Sequence, residues 1–183
     1  MRIVGGIHGG RRLQCPSGNS VRPTPDKVRE ALFSILGKQV EDTTLLDIFS
    51  GTGSVGLEAI SRGARHVTFI ENGRRTLPCL RKNLTIAPPA QVTLMPIPVR
   101  HALPQLRGYQ FDMVFMDPPY GKGLVPQTLN QLKLNELITK QSLIICEHER
   151  RLQEMGWTEP WHIRDQRTWG EVSITMLALR SNA

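Results

Sequence analysis

An α/β fold on a mostly parallel sheet is predicted by two observations. From residue 44 onward, short apolar runs alternate with helix-length segments, the spacing of strands joined by crossover helices that cover both sheet faces. The last stretch, 157–179, has no room for another long helix. It ends in the alternating Val172, Ile174, Met176, Leu177 and Leu179, which suits a closing antiparallel hairpin. The 183 residues read as one domain, long enough to bury a single substantial core.

In chain order, residues 1–15 set short apolar and basic pieces around Gly5, Gly6, Gly9 and Gly10, which predicts a small β-hairpin. A loop follows from Pro16 to Pro25. Thr24 then caps a helix whose first turn holds Pro25 and Asp26, whose buried face carries Val28, Ala31, Leu32, Ile35 and Leu36, and which Gly37 ends. Leu45–Phe49, Val67–Ile70, Val92–Met95, Met113–Met116 and Leu143–Cys146 are the expected strands. No repeat or long linker divides the chain, so residues 1–38 are read as a basic hairpin and helix extension within the single domain 1–183.

Apolar runs such as Leu143–Cys146 are far too short to span a bilayer, and the N-terminus has no apolar signal core. A cytoplasmic protein without a membrane partner is expected. Cys15, Cys79 and Cys146 are scattered and odd in number, which argues against a disulfide framework or a zinc site, and no metal is expected. The formal charge is +7, of which residues 1–38 carry +5, so the basic excess is local and points to an anionic polymer as partner.

The segment DIFSGTGSVGLEAISRGA, 47–64, places Gly51, Gly53 and Gly56 between the first sheet strand and a helix, at the spacing of a dinucleotide-binding loop. Glu71 ends the next strand, where a carboxylate can accept hydrogen bonds from ribose hydroxyls. These features fit any adenosine cofactor. Asp47, just before the turn, favours one with a cationic amino-acid tail and would repel a pyrophosphate.

A second motif, MDPPYGKG at 116–123, leaves an apolar strand through an acid, two prolines and an aromatic ring. Two prolines fix two φ angles and remove two donors, which is costly inside a sheet and suitable just past its end. If the first and fourth strands are neighbours, this stiff ledge faces the glycine loop across one cleft. It could then grip a planar amine, with Asp117 and the Pro118 carbonyl accepting its hydrogens and Tyr120 stacking on the ring.

Together, Asp47 to Gly56 and Asp117 to Tyr120 resemble motifs one and four of class I S-adenosylmethionine-dependent methyltransferases acting on exocyclic amines. RIVGGIHGGRRL at 2–13 and RPTPDKVREALFSIL at 22–36 resemble the start of the RsmD family. That resemblance implies a Rossmann-like seven-stranded sheet with an antiparallel last strand. It also implies methyl transfer from S-adenosylmethionine, leaving S-adenosylhomocysteine, to the 2-amino group of a guanine in 16S ribosomal RNA, within the small subunit or an assembly intermediate. On this reading Asp47, Phe49, Gly51, Gly53 and Glu71 bind the cofactor, and Asp117, Pro118, Pro119 and Tyr120 are catalytic. Arg11, Arg12, Arg22 and Arg29 bind RNA, and the protein is a monomer. One departure is that MPIPVRHAL at 95–103 lacks the Asp or Asn that often meets the adenine after the third strand, which leaves backbone groups near Val99 to substitute. The rival readings are a methyltransferase of another RNA or DNA base amine, a nicotinamide oxidoreductase, which gives the ledge no role, and a non-catalytic RNA-binding module, which leaves the ledge unused.

Overall fold

The structure, a computed structural model, describes residues 1–16, 26–119, 121–149, 157 and 159–180. Seven strands form one sheet: β1 Thr44–Ile48, β2 His66–Ile70, β3 Val92–Met95, β4 Met113–Met116, β5 Leu143–Glu149, β6 Trp161–Trp169 and β7 Val172–Leu179. Their order is β3-β2-β1-β4-β5-β7-β6. The first five are parallel, and β7 runs antiparallel to both β5 and β6, so the closing hairpin is inserted with its second strand against β5. Sequence order reverses between β1 and β4, and ligands bind at such a switch point. The predicted strands are present within a residue or so, except that β5 continues to Glu149.

Both sheet faces are covered, as the continuous apolar runs require. Leu45, Phe115 and Ile145 enter one core with α1 (Asp26–Leu36) and α2 (Ser54–Ser61). Leu46, Ile48, Met116 and Cys146 enter the other with α4 (Val99–Gln105) and α5 (Leu124–Leu134), while α3 (Thr76–Leu84) adds Leu80 to the first. Strand alternation therefore places Asp47 on the same face as Leu45 and Phe115. No described helix is long and apolar enough to cross a membrane.

The N-terminal segment departs from expectation in two ways. Its hairpin is reduced to a single antiparallel bridge, Arg2 to Arg12, because residues 4–8 pair with α2 instead. In α1 the buried face is Val28, Arg29, Leu32, Phe33 and Leu36, while Ile35 is 38% exposed. The face is rotated because a buried Glu58 on α2 draws Arg29 inward. The expected Thr24 cap and Pro25 lie outside the described residues. Cys15, Cys79 and Cys146 are free thiols.

Candidate active site

After β1 the chain turns through Phe49, which holds a left-handed φ of +62°, and Gly51, at +56°. The Ser50 N–H donates to the Ile70 carbonyl (3.1 Å) and its hydroxyl to the Asp47 carbonyl (2.8 Å), which fixes the turn against β2. Glu71, at the end of β2, accepts from the Gly51 N–H (2.7 Å) and the Gly73 N–H (2.5 Å), so the expected ribose acid is already held by the loop. The three glycines divide by role. A Cβ on Gly51 would meet nothing nearer than 4.0 Å, so its backbone borders open space. A Cβ on Gly53 would sit 2.5 Å from Leu80 and one on Gly56 2.3 Å from Phe69, so these two permit close packing of loop and helix on β2. Gly53 also commits its N–H to the Ser50 carbonyl (2.7 Å).

Asp47 is 1% exposed; its Oδ2 accepts from the Gly56 N–H (3.0 Å), and its Oδ1 has no partner. Burial, offset in part by the Gly56 bond and reinforced by Glu71, pushes its carboxyl up to about 7. An orphaned carboxylate oxygen at the foot of a glycine loop is a fit for an ammonium group, because a buried acceptor left unsatisfied carries a desolvation penalty that a cationic donor removes. At the same end of the sheet, reached through Phe49 of the turn, opens a cavity of about 410 Å3, lined by Phe49, Asn72, Val99, Arg100, Leu124 and Thr128 among others. That volume lies in the range of cofactor sites. Val99 lines it, in the stretch where the absent Asp or Asn would have been sought.

The ledge lies on the neighbouring strand end. β1 and β4 are adjacent in register Ile48 to Met116, and the Asp117 N–H continues the ladder to the Ile48 carbonyl (3.4 Å). Asp117 is half-buried, Pro118 buried and Pro119 exposed, while Tyr120 lies outside the described residues. Burial, then the charges of Glu147 and Asp47, hold the Asp117 carboxyl well above the usual carboxylate range. Glu147 was not among the expected site residues. It follows the apolar run Leu143–Cys146 at the same sheet edge, and an acid ending a buried strand was a signal available in the sequence.

Among the basic residues, Arg11 and Arg12 are exposed and Arg22 lies outside the described residues. Arg29 is corrected: it is 0% exposed, donates to the Arg2 carbonyl and to Asp26 (3.0 Å), and sits 3.6 Å from Glu58, so it is a structural cation and no RNA contact. Asn83 joins the basic segment to the glycine loop, accepting from the Gln14 N–H (2.7 Å) and donating to the carbonyls of Gln14 (3.0 Å) and Thr52 (2.9 Å).

The family of conserved hypothetical protein 95 matches residues 1–178. The ribosomal RNA small subunit methyltransferase D of Escherichia coli is 35% identical over 176 residues, covering 96% of this chain and 88% of that protein. The protein of the same name from Buchnera aphidicola is 36% identical over 159 residues, covering 85% and 83%. A solved structure from Escherichia coli superposes with a TM-score of 0.85 at 33% identity, covering 100% of this chain and 99% of the other.

Proposed function

This chain belongs to the ribosomal RNA small subunit methyltransferase D family, and from that premise we propose that it transfers the methyl group of S-adenosylmethionine to the 2-amino group of a guanine in small-subunit ribosomal RNA. The observation that supports this reading is the adjacency of β1 and β4, whose carboxyl ends carry the glycine loop and Asp117 side by side. The reading extends to a cytoplasmic monomer acting on RNA in the small subunit or its assembly intermediate.

S-adenosylmethionine, when bound, supplies a methyl already activated on a sulfonium, so the protein's contribution is placement and exclusion of water. Asp47 would hold the amino-acid tail through its unpartnered Oδ1, Gly51 would let the backbone approach, and Glu71 would hold the ribose. Phe49, Asn72 and Val99 would line the nucleoside cavity. At the ledge, the Asp117 carboxylate and the Pro118 carbonyl accept the two hydrogens of the amine. These acceptors favour the pyramidal nitrogen whose lone pair is free of the ring, the form developing in the transition state. The amine nitrogen would be cationic once methylated and would lose its proton to solvent as the product leaves. Tyr120 stacks on the base, an interaction worth roughly 1 to 3 kcal/mol. Arg11 and Arg12 bind backbone phosphates.

The test is incubation with methyl-labelled S-adenosylmethionine and either small-subunit ribosomal RNA or subunits lacking the modification, followed by nucleoside analysis. N2-methylguanosine at one nucleotide is expected. Label in another base, or none in either substrate, would contradict the assignment.

A further inference from the structure

The ledge explains how an amine is held but not how guanine is chosen, since adenine and cytosine also present exocyclic amines. What separates guanine is the ring atom beside the amine. Its N1 carries a hydrogen, whereas the corresponding atoms of adenine and cytosine are acceptors. A site for guanine therefore needs a second acceptor next to the one that holds the amine.

Resting on the guanine-amine reading above, we propose that Glu147 is that acceptor: its carboxylate takes the guanine N1–H while Asp117 takes the neighbouring 2-amine. Pairing of β4 with β5 ends at Met116 and Cys146, so the next residues, Asp117 and Glu147, stand side by side on adjacent parallel strands. Such strands lie about 4.8 Å apart, a spacing from which two side chains can meet adjacent atoms of one base edge. Alternation carries both residues to the face of Phe115 and Ile145, away from Met116 and Cys146. Glu147 is 3% exposed and lines a narrow cleft with Pro118 and Pro119, so its position belongs to the ledge and not to the open surface. Lys122 and His148 complete the polar lining. The cleft is about 30 Å3, room for about one water, so it excludes a ring, and only polar atoms of a base edge would reach its mouth while the ring lies over the prolines. Discrimination then follows from repulsion as well as attraction. A carboxylate facing the N1 of adenine opposes two acceptors, and that mismatch inside a buried site is what makes such sites selective.

The test replaces the target guanine in a synthetic RNA substrate by 2-aminopurine, which keeps the 2-amine but carries no hydrogen on N1. For the wild-type protein we expect kcat/KM on 2-aminopurine to be at least about tenfold below that on guanine, the scale of one charge-assisted hydrogen bond. In Glu147→Gln the amide can donate to the bare N1, and the guanine to 2-aminopurine ratio should fall by about tenfold or more while S-adenosylmethionine affinity stays at the wild-type value. A structural role would lower both rates and leave the ratio unchanged, and an unchanged ratio with guanine still methylated overturns the assignment. N1-methylguanine in the same RNA, used with the wild-type protein alone, covers the case in which the variant does not fold. A loss of about tenfold or more supports Glu147 as reader, and a rate equal to guanine overturns it. Absence of transfer to guanine by the wild-type protein would instead overturn the guanine-amine reading, and this assignment with it.

Discussion

Glu58, on α2, and Asp47, on β1 beneath the start of that helix, are both buried acids, yet they differ in what surrounds them. Glu58, 0% exposed, accepts from the N–H groups of Val4 (2.6 Å) and Gly5 (2.8 Å) and from Arg62 (2.8 Å), with the Arg29 Nε at 3.6 Å. Ser61 continues the seam, accepting from the His8 N–H (2.9 Å) and the Ile7 N–H (2.8 Å, at its carbonyl). Asp47 has one backbone donor and one orphaned oxygen. A buried charge whose acceptors are filled by its own chain is a fastening. One left half-filled at the carboxyl edge of a parallel sheet is a receptor. The first region clamps the basic segment onto α2; the second is where the proposed function places the cofactor's ammonium group.

The clamp should show the largest effect on stability. Glu58→Ala leaves the buried Arg29 without its buried counter-charge and the N–H groups of Val4 and Gly5 without their acceptor, which should cost about 3 to 5 kcal/mol. Urea titration measures it, and a loss below about 1 kcal/mol would mean the seam is ornamental. The ledge should show the largest effect on rate. Asp117→Ala removes the acceptor and should lower single-turnover transfer by about 10² to 10³ fold, whereas Asp117→Asn keeps a carbonyl oxygen and retains measurable transfer. Both should bind S-adenosylmethionine. Equal, near-complete loss in the two variants would indicate a general base instead.

A pH profile sharpens the same contrast. Ionised Asp117 is the stronger acceptor, and protonation turns one of its oxygens into a donor facing the amine; burial with Glu147 and Asp47 facing it raises its carboxyl, so wild-type transfer should fall as pH drops through that raised value. The loss should begin at a higher pH than for an ordinary carboxylate. Asp117→Asn should lack that limb.

The strands were legible because burial on both faces leaves unbroken apolar runs, and the ledge because two prolines can stand only past a strand end. The side chains that fill one another's needs across long separations were not. Arg29 reads as one more surface cation in a basic segment, and it takes the Arg2 carbonyl and Glu58, 27 positions back and 29 positions on, to hold it in the core. The hairpin is present but short for the same reason: Gly5 and Gly6 look like turn residues, but a Cβ on Gly6 would lie 1.8 Å from the Ser61 carbonyl, so the glycine serves close approach to α2. Glu147 was visible as an acid ending an apolar run, but its meaning required knowing that β5 lies beside β4.

Smaller effects belong to the surface that the clamp presents. Neutralising the exposed Arg11 and Arg12 together should flatten the slope of log K for RNA against log salt by about 0.7 to 0.9 for each phosphate no longer neutralised, with cofactor affinity unchanged. An unchanged slope in a binding titration would remove these two residues from the RNA surface.

The division between fastening and receptor is tested most directly by heat unfolding of Asp47→Asn at about pH 8, with and without S-adenosylmethionine. A carboxyl raised to about 7 from 3.8 binds its proton more tightly in the folded state, so its contribution to stability is full below about pH 4 and is lost as pH rises through about 7. Neutral asparagine escapes that loss. The variant should therefore be more stable than wild type without ligand by about 1 kcal/mol or more, and so unfold at a higher temperature, and should lose most of the ligand-induced rise. A variant that unfolds earlier than wild type and keeps the full ligand-induced rise would show that Asp47, like Glu58, is a fastening, and would contradict the account.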